Sequence, residues 1–390
     1  MYVYRGCVRV LCSGGAFNRV LLYRHTPSSI IKQHTATLTT AFNRVLLYPH
    51  TPSSLIKQHT ATLTTANTQT TTVGVVGCGN VGKAVLHNLI RAGYKVVTAY
   101  DVDSTRFKDL PSCIEPVASP RQVAEKVDVV ITGLPRPANV KAAVEGSQGL
   151  MAGLTKDKVW IDHSTTDPNQ TKIYAKEAEG KGAHVLEAPI TGGMTSLKKG
   201  QMVVHIGGQP QVAEAMTPLL KASYKEVFYV GEIGMAMLVK VVSNMLACVN
   251  IVAMGEVLML AKRAGLDLNT FWRAIRVSAG NSFVWETGAP LVFNGQYDPG
   301  FPLTLQNKDL QLGYDMALKY QVPIDLHQAV MAIYRRSQYQ LGDEAGCYSP
   351  PKTYELALGE SINIPGFEEW SYDNEIINGS LVVKHSGLDE

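Results

Sequence analysis

Residues 72–103 read TVGVVGCGNVGKAVLHNLIRAGYKVVTAYDVD. An apolar run at 73–76 leads into Gly77-x-Gly79-x-x-Gly82. Beyond it Val81, Val85, Leu89 and Ile90 recur at helical spacing. A second apolar run, 96–100, ends in Asp101. The order is strand, glycine turn, helix, strand, acid.

Each part of that order has a use on a dinucleotide. Gly77 permits the tight turn off the strand, Gly79 lets backbone approach a pyrophosphate, and Gly82 lets the helix pack close to the sheet. Asn80 and Val81 then open a helix whose free N–H groups and positive dipole end suit phosphate. The Asp101 carboxylate can accept both ribose hydroxyls of the adenosine and would repel a 2′-phosphate. The stretch therefore points to NAD, with NADP the lesser choice. Asp103 competes as the acid, but Asp103-Ser104-Thr105 reads as a helix cap. Cys78, inside the turn, reads as a small filler and not a redox switch.

Outward from this unit, strand patterns at 127–132, 158–162, 184–187, 202–206 and 227–229 alternate with helical patterns. The helices fall at 120–125, 137–144, 168–181 and 209–220, several opening on proline, which suits a first helical turn. Such alternation predicts a Rossmann-type doubly wound α/β domain over 72–234, with the sense of the later strands left open. After Gly234 the pattern changes. A long helix over 235–264 and further helices near 270–278, 304–320 and 326–340 predict an all-α second domain, 235–341. The rest, 342–390, carries Pro350, Pro351, Pro365 and several glycines and reads as an irregular extension.

The first 71 residues stand apart. Residues 16–40 and 41–65 are tandem copies of 25 residues that differ only at Arg24/Pro49 and Ile30/Leu55. Two copies are too few for a solenoid. Residues 1–72 hold no Asp or Glu, several Arg and Lys, and many Ser and Thr, a composition that fits a mitochondrial transit segment outside the fold. The matrix is the expected address, the cytoplasm the alternative.

Bulk composition excludes some classes. Net charge is +3 and the positive excess lies mainly before residue 72, so no basic face for nucleic acid is expected. Six cysteines without a CxxC pair point to reduced thiols and no zinc site. The most apolar run, 245–260, is interrupted by Asn250 and Glu256 and is short of the roughly 20 residues a bilayer needs. It is expected to be buried between domains or subunits, so no membrane partner is expected and a homodimer or homotetramer is.

Five stretches, in order, resemble the β-hydroxyacid dehydrogenase family: residues 77–82, IDHSTTDP at 161–168, EAPITGG at 187–193, GEIGMAMLVKVVSN at 231–244 and KDL at 308–310. The likeness runs from about 73 to 340. It implies reversible hydride transfer between a nicotinamide and a short 3-hydroxy acid, first of all 3-hydroxyisobutyrate going to methylmalonate semialdehyde. It makes Lys240 the acid/base, with Asn244 beside it. The residues agree, because positions i and i+4 share a helix face and Lys240 lies in an apolar run that would lower its pKa. Thr191, Gly192 and Gly193 would cradle the substrate carboxylate on backbone N–H groups and a hydroxyl. Ser164 and Thr165 follow a strand at the end where open α/β sheets bind ligands, and serve substrate or, for Thr165, cofactor. Leu134 and Pro135 would lie beside the cofactor, and Lys308 near the nicotinamide or substrate.

Three departures from the family pattern stand out: Thr191 where Ser is usual, His163 where a small residue is usual, and Ala236 where Gly is frequent. His163 is not needed as a base and is expected to line the nicotinamide pocket or pack locally. Two other readings remain open: an NADP-dependent reductase of small aldehydes (glyoxylate, succinic or tartronate semialdehyde), and a non-catalytic NAD(P)-binding module.

Overall fold

A computed structural model describes residues 63–388, apart from 299 and 379 and the side chains at 194 and 195. Residues 1–62, most of the segment read as a transit leader and nearly all of the tandem repeat, lie outside the described residues. The sheet begins with β1 (Thr72–Val76), α1 (Asn80–Arg91), β2 (Lys95–Tyr100) and the short β3 (Glu115–Pro116). Then come α2 (Pro120–Lys126), β4 (Val129–Thr132), α3 (Pro137–Val144), α4 (Leu150–Gly153), β5 (Val159–Asp162), α5 (Pro168–Gly180) and β6 (His184–Glu187). β7 (Ile190–Thr191), α6 (Gly193–Lys198), β8 (Val203–Gly208), α7 (Pro210–Lys221) and β9 (Glu226–Gly231) complete the domain.

Proline opens α2, α3, α5 and α7, and the Ser119 and Asp167 side chains cap α2 and α5 by accepting backbone N–H groups. β4 (Val-Val-Ile-Thr) and β5 (Val-Trp-Ile-Asp) are buried on both faces, as central parallel strands must be. The sheet runs β3-β2-β1-β4-β5-β6-β8-β7, with β9 on β8. The first six strands in that order are parallel and give the Rossmann sequence 3-2-1-4-5-6. The open question about the later strands is settled: β8 is antiparallel to β6 and β7, and β9 is parallel to β8. Ligands bind such sheets where the order reverses, here between the ends of β1 and β4.

The domain begins earlier than residue 72. Ala66 is buried against the sheet's core, its N–H donates to the Ala215 carbonyl at 2.9 Å, and the Asn67 side chain closes a turn on Gln69 and Thr70.

The helical domain is built on α8 (Met235–Arg263), followed by α9 (Leu268–Arg276), α10 (Phe283–Phe293), α11 (Leu303–Tyr320) and α12 (Asp325–Leu341). By length and composition α8 is long and apolar enough to cross a membrane, more than the 245–260 run conveys. In the fold Cys248, Ile251, Leu258 and Met259 are buried among the other helices of the domain.

The expected irregular extension is instead ordered. It forms α13 (Pro350–Leu358) and an antiparallel hairpin, β10 (Ser371–Ile377) with β11 (Ser380–Ser386). The reason is aromatic burial. Phe367, Trp370 and Tyr372 join the core of Trp272, Trp285 and Phe293, with Phe367 edge-on to Trp272 at 5.5 Å between centroids. The strand-free second domain of the sequence reading thus acquires a β-hairpin from the tail.

Candidate active site

The glycine turn is made of backbone. Gly77 has φ +93° and donates its N–H to the Tyr100 carbonyl at 2.8 Å. A Cβ there would lie 2.7 Å from the Gly133 carbonyl oxygen and 2.9 Å from the Leu134 side chain. A Cβ on Gly82 would lie 1.8 Å from the Gly77 carbonyl oxygen, so α1 starts directly against the turn. Gly79 precedes α1 with no side chain capping the helix, and Asn80 and Val81 form its first positions. The open N-terminus, the tight packing at Gly77 and Gly82, and the space over Gly79 fit a pyrophosphate. Asp101 sits at the rim, accepting the Cys78 N–H at 2.7 Å and the Asp103 N–H at 2.9 Å. Asp103 caps the 3-10 turn Ser104–Phe107, as its sequence context indicates. Burial pushes the Cys78 thiol up to about 12, which keeps it protonated and inert.

The ends of β4 and β5 meet beside this turn. The Leu134 N–H donates to Ser164 Oγ at 2.9 Å, and the Ser164 N–H donates to Asp162 Oδ1 at 2.9 Å. Pro135 follows on the exposed side. Burial raises the Asp162 carboxyl above the usual range, opposed by hydrogen bonds from Ser164 and Thr132.

Lys240 and Asn244 lie on one face of α8. Lys240 Nζ donates to Asn244 Oδ1 at 3.1 Å, and Asn244 Nδ2 donates to Asp309 Oδ2 at 2.6 Å. Lys308 Nζ pairs with Asp309 Oδ1 at 2.8 Å and donates to the Thr165 carbonyl at 2.7 Å. The string Lys240–Asn244–Asp309–Lys308–Thr165 therefore joins α8, α11 and the loop after β5. The Asp309 side chain is 1% exposed. Burial depresses the Lys240 pKa first, the Asp309 carboxylate opposes that, and the Lys308 ammonium adds to it.

Sequence reasoning missed three participants. Asp309 carries no role in the sequence reading, although its place in KDL is an available signal. Glu187 ends β6 and accepts the Gly234 and Ala236 N–H groups at 2.6 and 2.8 Å, so it caps the helix that carries Lys240. Burial raises its carboxyl to about 7 against those hydrogen bonds. The buried Ala236 thus serves this cap. The third is His205 on β8, whose pKa is lowered by burial and then by the nearby Lys240 ammonium. No spacing in the sequence marks it.

His163 packs locally. Its Nδ1 lies 2.6 Å from the Ala188 carbonyl and its Nε2 3.0 Å from the Tyr224 hydroxyl, and burial lowers its pKa to about 4. The ring is neutral and fully engaged, so it is no acid/base.

Thr191 ends β7 opposite Val203 of β8, two residues before His205. Gly192 and Gly193 follow at φ +137° and +82°, where a side chain would be strained. Among the described residues no cluster of His, Cys, Asp or Glu could hold a metal ion.

Comparison with known proteins fits this geometry. Residues 72–231 match the NAD binding domain of 6-phosphogluconate dehydrogenase, and residues 234–350 match the NAD-binding region of NADP-dependent 3-hydroxyisobutyrate dehydrogenase. The mitochondrial 3-hydroxyisobutyrate dehydrogenase of Mus musculus is 34% identical over 68% of this chain and 81% of its own. The chain belongs to the β-hydroxyacid dehydrogenase family. A 2-(hydroxymethyl)glutarate dehydrogenase of Eubacterium barkeri is 27% identical over 75% of this chain and 97% of its own, so substrates vary among relatives. The structure of Mycobacterium tuberculosis 3-hydroxyisobutyrate dehydrogenase with L-serine matches with a TM-score of 0.66 and 25% identity, covering 73% of this chain and 99% of that one. The protein is thus a dehydrogenase of the 3-hydroxy-acid type with NAD(P)-binding domains.

Proposed function

We propose that this β-hydroxyacid dehydrogenase oxidises 3-hydroxyisobutyrate to methylmalonate semialdehyde with NAD. The observation that carries the chemistry is the Lys240–Asn244 hydrogen bond inside a string anchored on Asp309. Burial favours the neutral amine of Lys240, the form that can take the substrate's hydroxyl proton. Asn244, fixed by Asp309, orients that hydroxyl toward Lys240. Thr191, Gly192 and Gly193 receive the carboxylate, with Ser164 and Thr165 flanking. A bound nicotinamide supplies the acceptor for the hydride that leaves the same carbon. Gly77, Gly79, Asn80, Val81 and Gly82 hold the pyrophosphate, Asp101 the adenosine ribose, and Leu134 and Pro135 the nicotinamide side. Lys308 ties α11 to Thr165 and keeps the helical domain over the cleft.

One observation favours a second reading, NADP-linked reduction of a small aldehyde. Arg106 lies beside the glycine turn, its Nη1 3.7 Å from where a Gly79 Cβ would be, and adds a positive charge near the dinucleotide phosphates. It is ion-paired with Asp103 at 3.6 Å, and Asp101 still opposes a 2′-phosphate, so NAD is the first choice.

The exposed apolar residues of α8, among them Val242, Leu246 and Leu260, support a homodimer or homotetramer. The acid-free leader and the mitochondrial relatives support a matrix address and a place in valine breakdown.

The test assays the purified chain with NAD and with NADP on 3-hydroxyisobutyrate, L-serine, D-glycerate and 4-hydroxybutyrate. NAD-linked turnover of 3-hydroxyisobutyrate above the others is expected. A higher kcat/KM with NADP would overturn the cofactor choice. Cofactor binding without turnover of any substrate would leave the non-catalytic module.

A further inference from the structure

The family matches end at residue 350, yet the tail beyond them reaches the Gly192–Gly193 turn. The Tyr372 hydroxyl, on β10, donates to the Gly192 carbonyl at 3.2 Å. A Cβ at Gly193 would lie 3.1 Å from that same hydroxyl oxygen, so phenol and turn are packed against each other.

We propose that Tyr372 is a positioning residue of the substrate site: by holding the Gly192 carbonyl it sets the turn whose N–H groups receive the substrate carboxylate. This rests on the reading above that the turn binds that carboxylate. Two successive glycines at positive φ can adopt several backbone states, and an external hydrogen bond selects one.

Tyr372 is itself held. It is 7% exposed, stacks on Trp370 at 5.4 Å and meets Phe283 edge-on at 6.2 Å. Burial raises its pKa above the ordinary phenol value, so the hydroxyl remains a donor. The hairpin is tied to the Rossmann domain next to the turn. Asp373 pairs with Lys199 at 2.5 Å, Asn374 Nδ2 donates to Ser196 Oγ at 3.1 Å, and Lys225 Nζ donates to the Asn374 carbonyl. On the other side Trp370 Nε1 donates to His385 Nδ1 at 3.2 Å, and His385 Nε2 lies 3.3 Å from Glu286 of α10. The hairpin is therefore a strap between the two domains, with Tyr372 at the substrate end.

Tyr372→Phe in the full chain keeps the ring and removes the hydroxyl. Two measurements are read together: steady-state kinetics with 3-hydroxyisobutyrate and NAD, and amide hydrogen exchange over residues 192–196. The net worth of one hydrogen bond predicts a KM for the hydroxy acid raised about 3- to 10-fold, with kcat and the KM for NAD little changed. Exchange of the turn amides should quicken, while that of residues 77–82 should not. Unchanged exchange overturns the proposal. Faster exchange with an unchanged KM also overturns it, because the hydroxyl would then be structural only. A wild-type protein that turns over no 3-hydroxy acid sinks the dehydrogenase reading instead, and the exchange data still decide whether Tyr372 holds the turn.

Discussion

The glycine turn after β1 and the polar string from Lys240 to Thr165 are two halves of one site built in opposite ways. The turn is contiguous, residues 77–82, and is made of backbone whose tolerances are set by missing Cβ atoms. The string draws on positions 165, 240, 244, 308 and 309 and is made of side chains, two lysines around one buried carboxylate, that end on the Thr165 backbone carbonyl. The first half fails by collision, the second by lost charge or lost reach. Variants that separate these two failures test the comparison directly.

The largest effect is expected at Lys240. Lys240→Ala removes the proposed proton acceptor and should lower kcat by about 10²- to 10⁴-fold, the usual scale of general acid–base catalysis. NAD binding, followed by fluorescence titration, should be unchanged, since the turn is untouched. Weakened NAD binding in this variant would break the division between the two halves. Gly82→Ala should do the reverse. Its Cβ would press on the Gly77 carbonyl at 1.8 Å, so the turn must shift. A loss of about 1–3 kcal/mol of stability, typical of overpacking, is expected together with a raised Kd for NAD. Urea unfolding and the same titration measure both.

The same division explains what could be read from the sequence. The strands and helices of the Rossmann domain announce themselves because apolar periodicity, opening prolines and glycines act locally. α10 does not: it is apolar nearly all round, with Gly288 and Pro290 inside it, so no amphipathic face marks it. Gly288 is there because a Cβ would sit 2.2 Å from the Tyr348 ring, a partner from the tail. The hairpin was hidden by the prolines and glycines that precede it in the tail, although Asn378-Gly379 between two strand-like runs was a usable signal. Lys240, Asn244 and Lys308 came from resemblance, and the part Asp309 plays in the string from the structure, because burial of a charged residue is a tertiary property. His205 is the extreme case, brought near Lys240 only by the packing of β8 on α8.

Asp309→Asn sharpens the second half. The Asp309 carboxylate raises the Lys240 pKa against burial, so neutralising it should let that pKa fall further. In the proposed alcohol oxidation the working form of Lys240 is the neutral amine. The rising limb of the kcat/KM profile should therefore move to lower pH, with the plateau about tenfold lower as Asn244 loses its anchor. A shift to higher pH would show that Asp309 does not govern Lys240.

The smallest effects concern stability and carry opposite signs. Glu187, raised from 4.5 to about 7, keeps a proton that the unfolded chain has released. Its contribution is fully present below pH 4.5 and is lost as pH rises through 7. His163, lowered from 6.5 to about 4, stays neutral where the unfolded chain is charged. Its contribution is present above pH 6.5 and is lost as pH falls toward 4. Neither slope can exceed about 1.4 kcal/mol per pH unit, the linkage limit for one proton. Urea unfolding of Glu187→Gln and His163→Gln across pH 4 to 8 separates them. Glu187→Gln should flatten the decline toward neutral pH, and His163→Gln the decline toward acid. Because Glu187 caps α8, its variant should also soften the acid/base half of the site as pH rises, while His163→Gln should leave that half alone. Equal effects of the two variants on kcat would mean that the buried carboxylate under α8 belongs to the fold and not to the positioning of Lys240.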